Sequence, residues 1–117
     1  MSNAPAWIDI TSKDAERSRA FYRDLLGWEI LVEESMNYGL VQPTTQRLPG
    51  GIGQASPDSP HPPGVVIYFN VPDLDPAIEH AELLGGTTVV PTWGIPGLGR
   101  MAVFTDPDGT RIGLWQT

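Results

Sequence analysis

The sequence predicts an α+β domain of two tandem βαβββ modules. Three observations carry that prediction: a strand, helix, strand, strand, strand pattern that occurs twice, a nearly constant offset between the copies, and a proline-rich segment between them. Trp7-Ile-Asp-Ile10 and Asp14 fall on Val66-Ile-Tyr-Phe69 and Asp73 at an offset of 59 residues (66 − 7). Leu25-Leu-Gly27 falls on Leu83-Leu-Gly85 at 58 (83 − 25), and Ile52-Gly53 on Ile112-Gly113 at 60 (112 − 52). A drift of one residue either way is what a duplicated unit shows. The expected organisation is a single domain over 1–117, with module one at 5–55, a linker at 56–64 and module two at 65–117.

Taken in order, Ala6 to Ile10 alternates with the strand period, placing Ile8 and Ile10 on one face and Trp7 and Asp9 on the other. Asp14 stands where an N-cap belongs, and Phe21, Tyr22, Leu25 and Leu26 recur at helical spacing before Gly27, so a helix spans 15–26. Trp28 to Glu33 and Tyr38 to Gln42 read as strands around the turn Glu34-Ser-Met-Asn37. Gly50 to Gln54 is a fourth strand, weakened by its glycines. Ala55 to Gly64 holds four prolines and no large apolar residue. It reads as an extended linker that could reach about 30 Å at about 3.1 Å per residue. The pattern then restarts: Val65 to Val71 as a strand, a helix opened by Asp73 or Asp75 with Pro76 and ended by Gly85, and Thr87 to Val90 as a strand. Last, Met101 to Phe104 and Ile112 to Trp115 flank Asp106-Pro-Asp-Gly109, the strongest hairpin signal in the chain.

With 14 acidic against 7 basic residues, the net charge of −7 argues against a surface that tracks nucleic-acid phosphates and suits solubility or a cationic small molecule. There is no cysteine, which removes disulfides, thiolate nucleophiles and cysteine-based zinc sites. No uncharged run approaches the length of a membrane span or signal peptide, so the expectation is a cytoplasmic protein without a membrane partner.

Three stretches together are specific. Ser12-Lys-Asp-Ala-Glu-Arg-Ser-Arg-Ala-Phe-Tyr-Arg-Asp-Leu-Leu-Gly-Trp28, Val71-Pro-Asp-Leu-Asp75 and Phe104-Thr-Asp-Pro-Asp-Gly-Thr-Arg-Ile-Gly-Leu-Trp115 resemble the vicinal oxygen chelate superfamily over nearly the whole length. That group includes glyoxalase I, extradiol dioxygenases, fosfomycin-resistance enzymes and bleomycin-resistance binding proteins. The resemblance implies a cupped eight-stranded mixed sheet with the helices outside, the glyoxalase/bleomycin-resistance fold. It also implies a homodimer, with modules paired within a chain or exchanged between chains.

In metal-using members of that group the ligands look inward from the first and last strands of each module. Carried over from the Phe21-Tyr22 signature and the repeat, those positions fall on Trp7, Gly53, Val66 and Gly113. None of the four has a side chain that holds a divalent ion, so the expectation is no metal and no cofactor. His61 in the linker and His80 between Glu79 and Glu82 read as solvated surface histidines.

Strand alternation supplies the candidate ligand-binding residues. With Ile8, Ile10, Ile67, Phe69 and Val71 packed on the helices, Trp7, Asp9 and Thr11 face the concavity with Val66, Tyr68 and Asn70. Arg111, Gly113 and Trp115 join them from the last strand, and Tyr38 and Trp93 border the site. The glycines would leave room for a ligand ring. Asp9 needs a partner, with Arg111 the nearest candidate, either as a structural ion pair or as recognition groups for a ligand. Three functions remain open at this point: a metal-independent binder of a small aromatic or cationic molecule, of the sequestration or resistance kind; a lyase, isomerase or dioxygenase using a recruited metal or Asp9 as general base; and a non-catalytic interaction module whose cup is filled by its own side chains.

Overall fold

A computed structural model describes residues 3–45 and 48–117. The chain divides into two compact units, Trp7–Val66 and a second that joins Ile67–Thr117 to the residues up to Ala6. Eight strands and two helices follow the expected order: β1 (Pro5–Ser12), α1 (Ala15–Leu26), β2 (Ile30–Glu33), β3 (Tyr38–Val41), β4 (Gly50–Gln54), β5 (Gly64–Asn70), α2 (Leu74–Leu83), β6 (Thr87–Ile95), β7 (Gly99–Thr105) and β8 (Arg111–Gln116). Within the first unit the strands lie in the order β2-β3-β4-β1, and the second repeats this as β6-β7-β8-β5. In each, the first strand of the module runs parallel to the last and the remaining pairs are antiparallel. The duplication read from residue offsets is therefore a duplication of topology.

Helix α1 begins as its sequence requires. The Asp14 side chain accepts a hydrogen bond from Arg17 N, and Gly27 closes the helix in the left-handed region at φ 69° with its N–H on Arg23 O. Its inner face meets one side of the sheet, where Ile10, Val41 and Ile52 are buried with Ile8, Tyr22, Trp28 and Ile30 against them. Tyr22 stacks on Trp28 with ring centroids 5.1 Å apart. The second unit uses the same plan, burying Val71, Leu74 and Ala102 against Ala77, Ile78 and Leu114. These contacts confirm that Ile8 and Ile10 look toward a helix, so that Asp9 and Thr11 look away from it.

Both helices are tied down by a contact that periodicity does not reveal. Gln54, the last residue of β4, accepts from Ala15 N at 3.0 Å and donates to Lys13 O at 2.7 Å. Gln116, at the end of β8, accepts from Leu74 N at 2.7 Å. Each glutamine satisfies a first-turn N–H that the helix itself leaves without a partner.

Two segments differ from expectation. Strand β6 runs past Val90 to Ile95 with irregular pairing to β7, tolerating Pro91 because it lies at the outer edge of its unit's strand order. The 56–64 segment is not simply extended: Ser59 N donates to Ser56 O at 3.1 Å, making a turn, and one of its side chains is buried.

Replacing Gln54 with Ala is expected to cost about 1 kcal/mol in urea unfolding. Leu83→Ala, at a side chain 85% exposed, is expected to stay within about 0.5 kcal/mol.

Candidate functional site

Each unit has a sheet face turned away from its helix, and the predicted site residues gather on these two faces. In the first unit, register places Asp9 beside Gly51 and Thr11 beside Gly53 on β4, with Tyr38 of β3 beside Gly53. Because β4 carries no side chain at 51 or 53, the Tyr38 ring lies across it. A Cβ at Gly53 would sit 2.9 Å from the ring, and one at Gly51 would overlap the phenol group. The Tyr38 hydroxyl thereby reaches β1 and donates to Asp9 Oδ1.

The other Asp9 oxygen is held from the proline-rich segment. His61 Nε2 lies 2.9 Å from Asp9 Oδ2 and 3.2 Å from Thr11 Oγ1, while Nδ1 lies 2.9 Å from the Pro62 carbonyl. Asp9 and His61 are 6% and 4% exposed. Two expectations are corrected here. His61 is a buried partner of Asp9, not a solvated surface histidine, because the 56–64 segment bends back over β1. Asp9 draws its donors from Tyr38 and His61, so the pairing expected with Arg111 is replaced; Arg111 is exposed at the start of β8. His80 is exposed on α2, as its helical position suggested.

The second unit repeats the notch with a different filler. Tyr68 of β5, 2% exposed, stands beside Gly113 of β8, and a Cβ on Gly113 would come within 2.3 Å of its ring. The same ring meets Trp93 edge-on at 6.4 Å between centroids. The room that glycines at 53 and 113 were expected to leave for a ligand is thus occupied by the chain's own tyrosines. One row further along, Asn70, Trp115, Met101 and Trp93 pair across β5, β8, β7 and β6, and residues paired in this way share a face. Trp115 and Trp93 are half-buried, and Trp115 Nε1 donates to Leu98 O at 2.6 Å. Trp7 is half-buried on β1 in the first unit and Val66 is buried.

Residues 4–114 match the model of the Glyoxalase/Bleomycin resistance protein/Dioxygenase superfamily. The chain belongs to that superfamily. Among curated relatives it is 30% identical to anthracycline biosynthesis protein DauV of Streptomyces sp. (strain C5), over 97% of this chain and 46% of that protein. It is 31% identical to CFP32 of Mycobacterium bovis, provisionally named a glyoxylase, over 96% of this chain and 45% of that one. The chain therefore spans about half the length of these relatives. The fold matches methylmalonyl-CoA epimerase from Mycobacterium tuberculosis at a TM-score of 0.70 and 16% identity, covering 96% of this chain and 86% of that one.

The superfamily's metal chemistry can be tested against the donors present. The four carried-over positions offer an indole, an isopropyl group and two glycines, and tyrosine rings cover both glycines. Among the described residues, no three His, Asp or Glu side chains group together as a metal site would need. These residues do not fit the superfamily's ion. The buried polar group found instead, Asp9 with His61, joins residues far apart in sequence. Its one sequence signal was a carboxylate between two isoleucines, which required a donor without naming it.

Gly113→Ala is expected to destabilise the fold by about 1–3 kcal/mol, since the added methyl must displace the Tyr68 ring. Combined with Tyr68→Ala, the loss measured by thermal unfolding is expected to fall clearly below the sum of the two single losses.

Proposed function

We propose that the chain is a metal-independent binding protein of its superfamily that takes a small, flat aromatic molecule on the Trp93, Met101, Trp115 row of its second unit. The observation that carries this reading is the spacing of the two indoles. They stand two strands apart, about 10 Å, on the helix-free face, with the Met101 thioether between them and the Asn70 amide at the end of the row. Half-buried indoles provide stacking area at low entropic cost, and a methionine floor adapts to ring shape. The Leu98 carbonyl fixes the Trp115 ring by its N–H, so this platform is ordered before a ligand arrives. The name of DauV supports a fused-ring aromatic as the ligand class, and the net charge of −7 supports a cationic substituent on it.

Titration with an anthracycline and with a cationic acridine, followed by tryptophan fluorescence, is expected to give saturable quenching. Trp93→Ala or Trp115→Ala should weaken that binding about tenfold or more. Quenching that survives both substitutions unchanged would remove this row from the site.

The same reading includes a two-fold homodimer. Its support is the half-length match to the curated relatives and the exposure of Phe21, Leu25, Leu31 and Val32 on the first unit. Light scattering after gel filtration is expected to give twice 12.7 kDa; a monomer mass at working concentration contradicts the dimer.

A further inference from the structure

Three exposed arginines of this chain have acidic partners, and a buried one has none. Arg17, Arg23 and Arg100 meet Asp14, Asp24 and Asp75 with side chains 80%, 60% and 42% exposed. Arg19, on the inner face of α1, is 9% exposed, and no carboxylate of the described residues lies within 4.0 Å of its nitrogens. Its stem lies across β3 at Gly39, where a Cβ would stand 2.4 Å from Arg19 Cδ and 2.7 Å from Ile30 Cγ2. The missing side chain at 39 is thus a cradle for the stem. Of the guanidinium's N–H donors, one is used among the described residues: Nη1 donates to Asn37 Oδ1 at 3.3 Å.

Acids stand close by in sequence, but the fold turns them elsewhere. Glu33 pairs with Tyr38 across β2 and β3, on the face opposite Gly39, and its carboxylate accepts from Ser35 Oγ at 2.7 Å. Asn37 closes the turn at Glu34–Met36 in the left-handed region, φ 47°, with its N–H on Glu34 O. Because a guanidinium only donates, Asn37 presents Oδ1 to it, and Nδ2 is left beside it as a further donor without a partner among the described residues. Val32 pairs with Gly39 and so shares its face, and at 46% exposed it walls the same corner. Among the described residues, Thr88 Oγ1 is the fully enclosed side-chain polar atom that lacks a partner, so the unused N–H groups of Arg19 open to solvent.

We propose that Arg19 and Asn37 form a carboxylate-binding site on the helix side of the first unit, with Val32 against the carbon chain of the ligand. A buried cation without a counter-charge is costly, and an acceptor that reaches its open edge removes that cost. The planar fork of a guanidinium matches a carboxylate with two parallel hydrogen bonds, and the Asn37 amide adds a donor at its flank. The stem is already immobilised over Gly39, so little side-chain entropy is lost on binding. Exposed Glu16, Glu33 and Glu34 and the net charge of −7 favour a singly charged carboxylate over a phosphate dianion. This site lies on the opposite sheet face from Asp9 and Tyr38, and it does not rest on the aromatic row of the second unit.

The Arg19 Nε–H signal in a nitrogen-15 correlated NMR spectrum of the intact protein reports on the site directly. Sodium acetate replacing sodium chloride at constant ionic strength is expected to move it saturably, with a Kd in the millimolar range. Phosphate at pH ~7.5 and the same ionic strength is expected to bind more weakly. Asn37→Gly keeps the left-handed backbone and removes the amide. It should weaken acetate binding about threefold or more. Arg19→Lys keeps a cation on a long stem but not the fork, and saturation followed at the Val32 and Asn37 amides should weaken about tenfold or more. An Arg19 signal that stays still, or that drifts without saturating, overturns the proposal. So does phosphate binding tighter than acetate, or an acetate affinity that neither substitution changes. If Arg19→Lys does not fold, the wild-type signal and Asn37→Gly decide. No aromatic molecule enters these measurements, so their outcome is independent of whether one binds.

Discussion

A carboxylate buried on the helix-free face of β1 is tolerable only if donors reach it, and the architecture of the first unit follows from how Asp9 obtains them. One donor must cross an entire strand. Tyr38 does so because Gly51 and Gly53 leave β4 flat, so two residues without side chains are the condition for a hydroxyl to arrive from β3. The other donor comes from outside the regular structure, and a proline-rich segment is bent over the sheet to deliver it. The glycines, the tyrosine and the histidine thus answer one electrostatic requirement.

The second unit has the same notch and no such requirement. Residue 68, the repeat counterpart of Asp9, is itself a tyrosine, and its ring fills the space over Gly113 from the first strand of the module instead of from the third. The two modules therefore share a topology and a missing side chain on the last strand but fill the gap from opposite directions. One fills it with a hydrogen-bonded polar group and the other with an aromatic contact to Trp93. At the two last-strand positions carried over from metal-using members of the superfamily, Gly53 and Gly113, tyrosine rings cover the backbone. The polar and aromatic groups on these faces meet the chain's own residues, Tyr38 and His61 on Asp9 in the first unit and Trp93 on Tyr68 in the second.

The parts of this structure that were legible in the sequence are those set by local period and capping. Helix α1 occupies the span that Asp14, the Phe21-Tyr22 pair and Gly27 delimit, and the face assignments of Ile8, Ile10, Asp9, Tyr68 and Trp115 follow from alternation alone. The extension of β6 beyond Val90 was hidden because irregular pairing breaks the period of two. His61 was hidden for a different reason. Its role depends on the path of a segment with no period at all, and a contact across 52 residues leaves no mark in either neighbourhood. The glycines at 53 and 113 showed where a metal ligand was missing. They could not show which ring would take its place, since that depends on which neighbouring strand carries an aromatic at the right register.

The glutamines at the ends of β4 and β8 have a consequence for how the chain acquires its shape. Each satisfies the first turn of a helix 39 or 42 residues earlier in the chain, so neither helix has its leading amide partnered until the closing strand of its own module has docked. Every module must be threaded to its end before its beginning is secure. Assembly is thereby weighted toward long loop closures and slow, all-or-none kinetics within each module, and a nascent chain still lacking its final strand would carry a frayed helix.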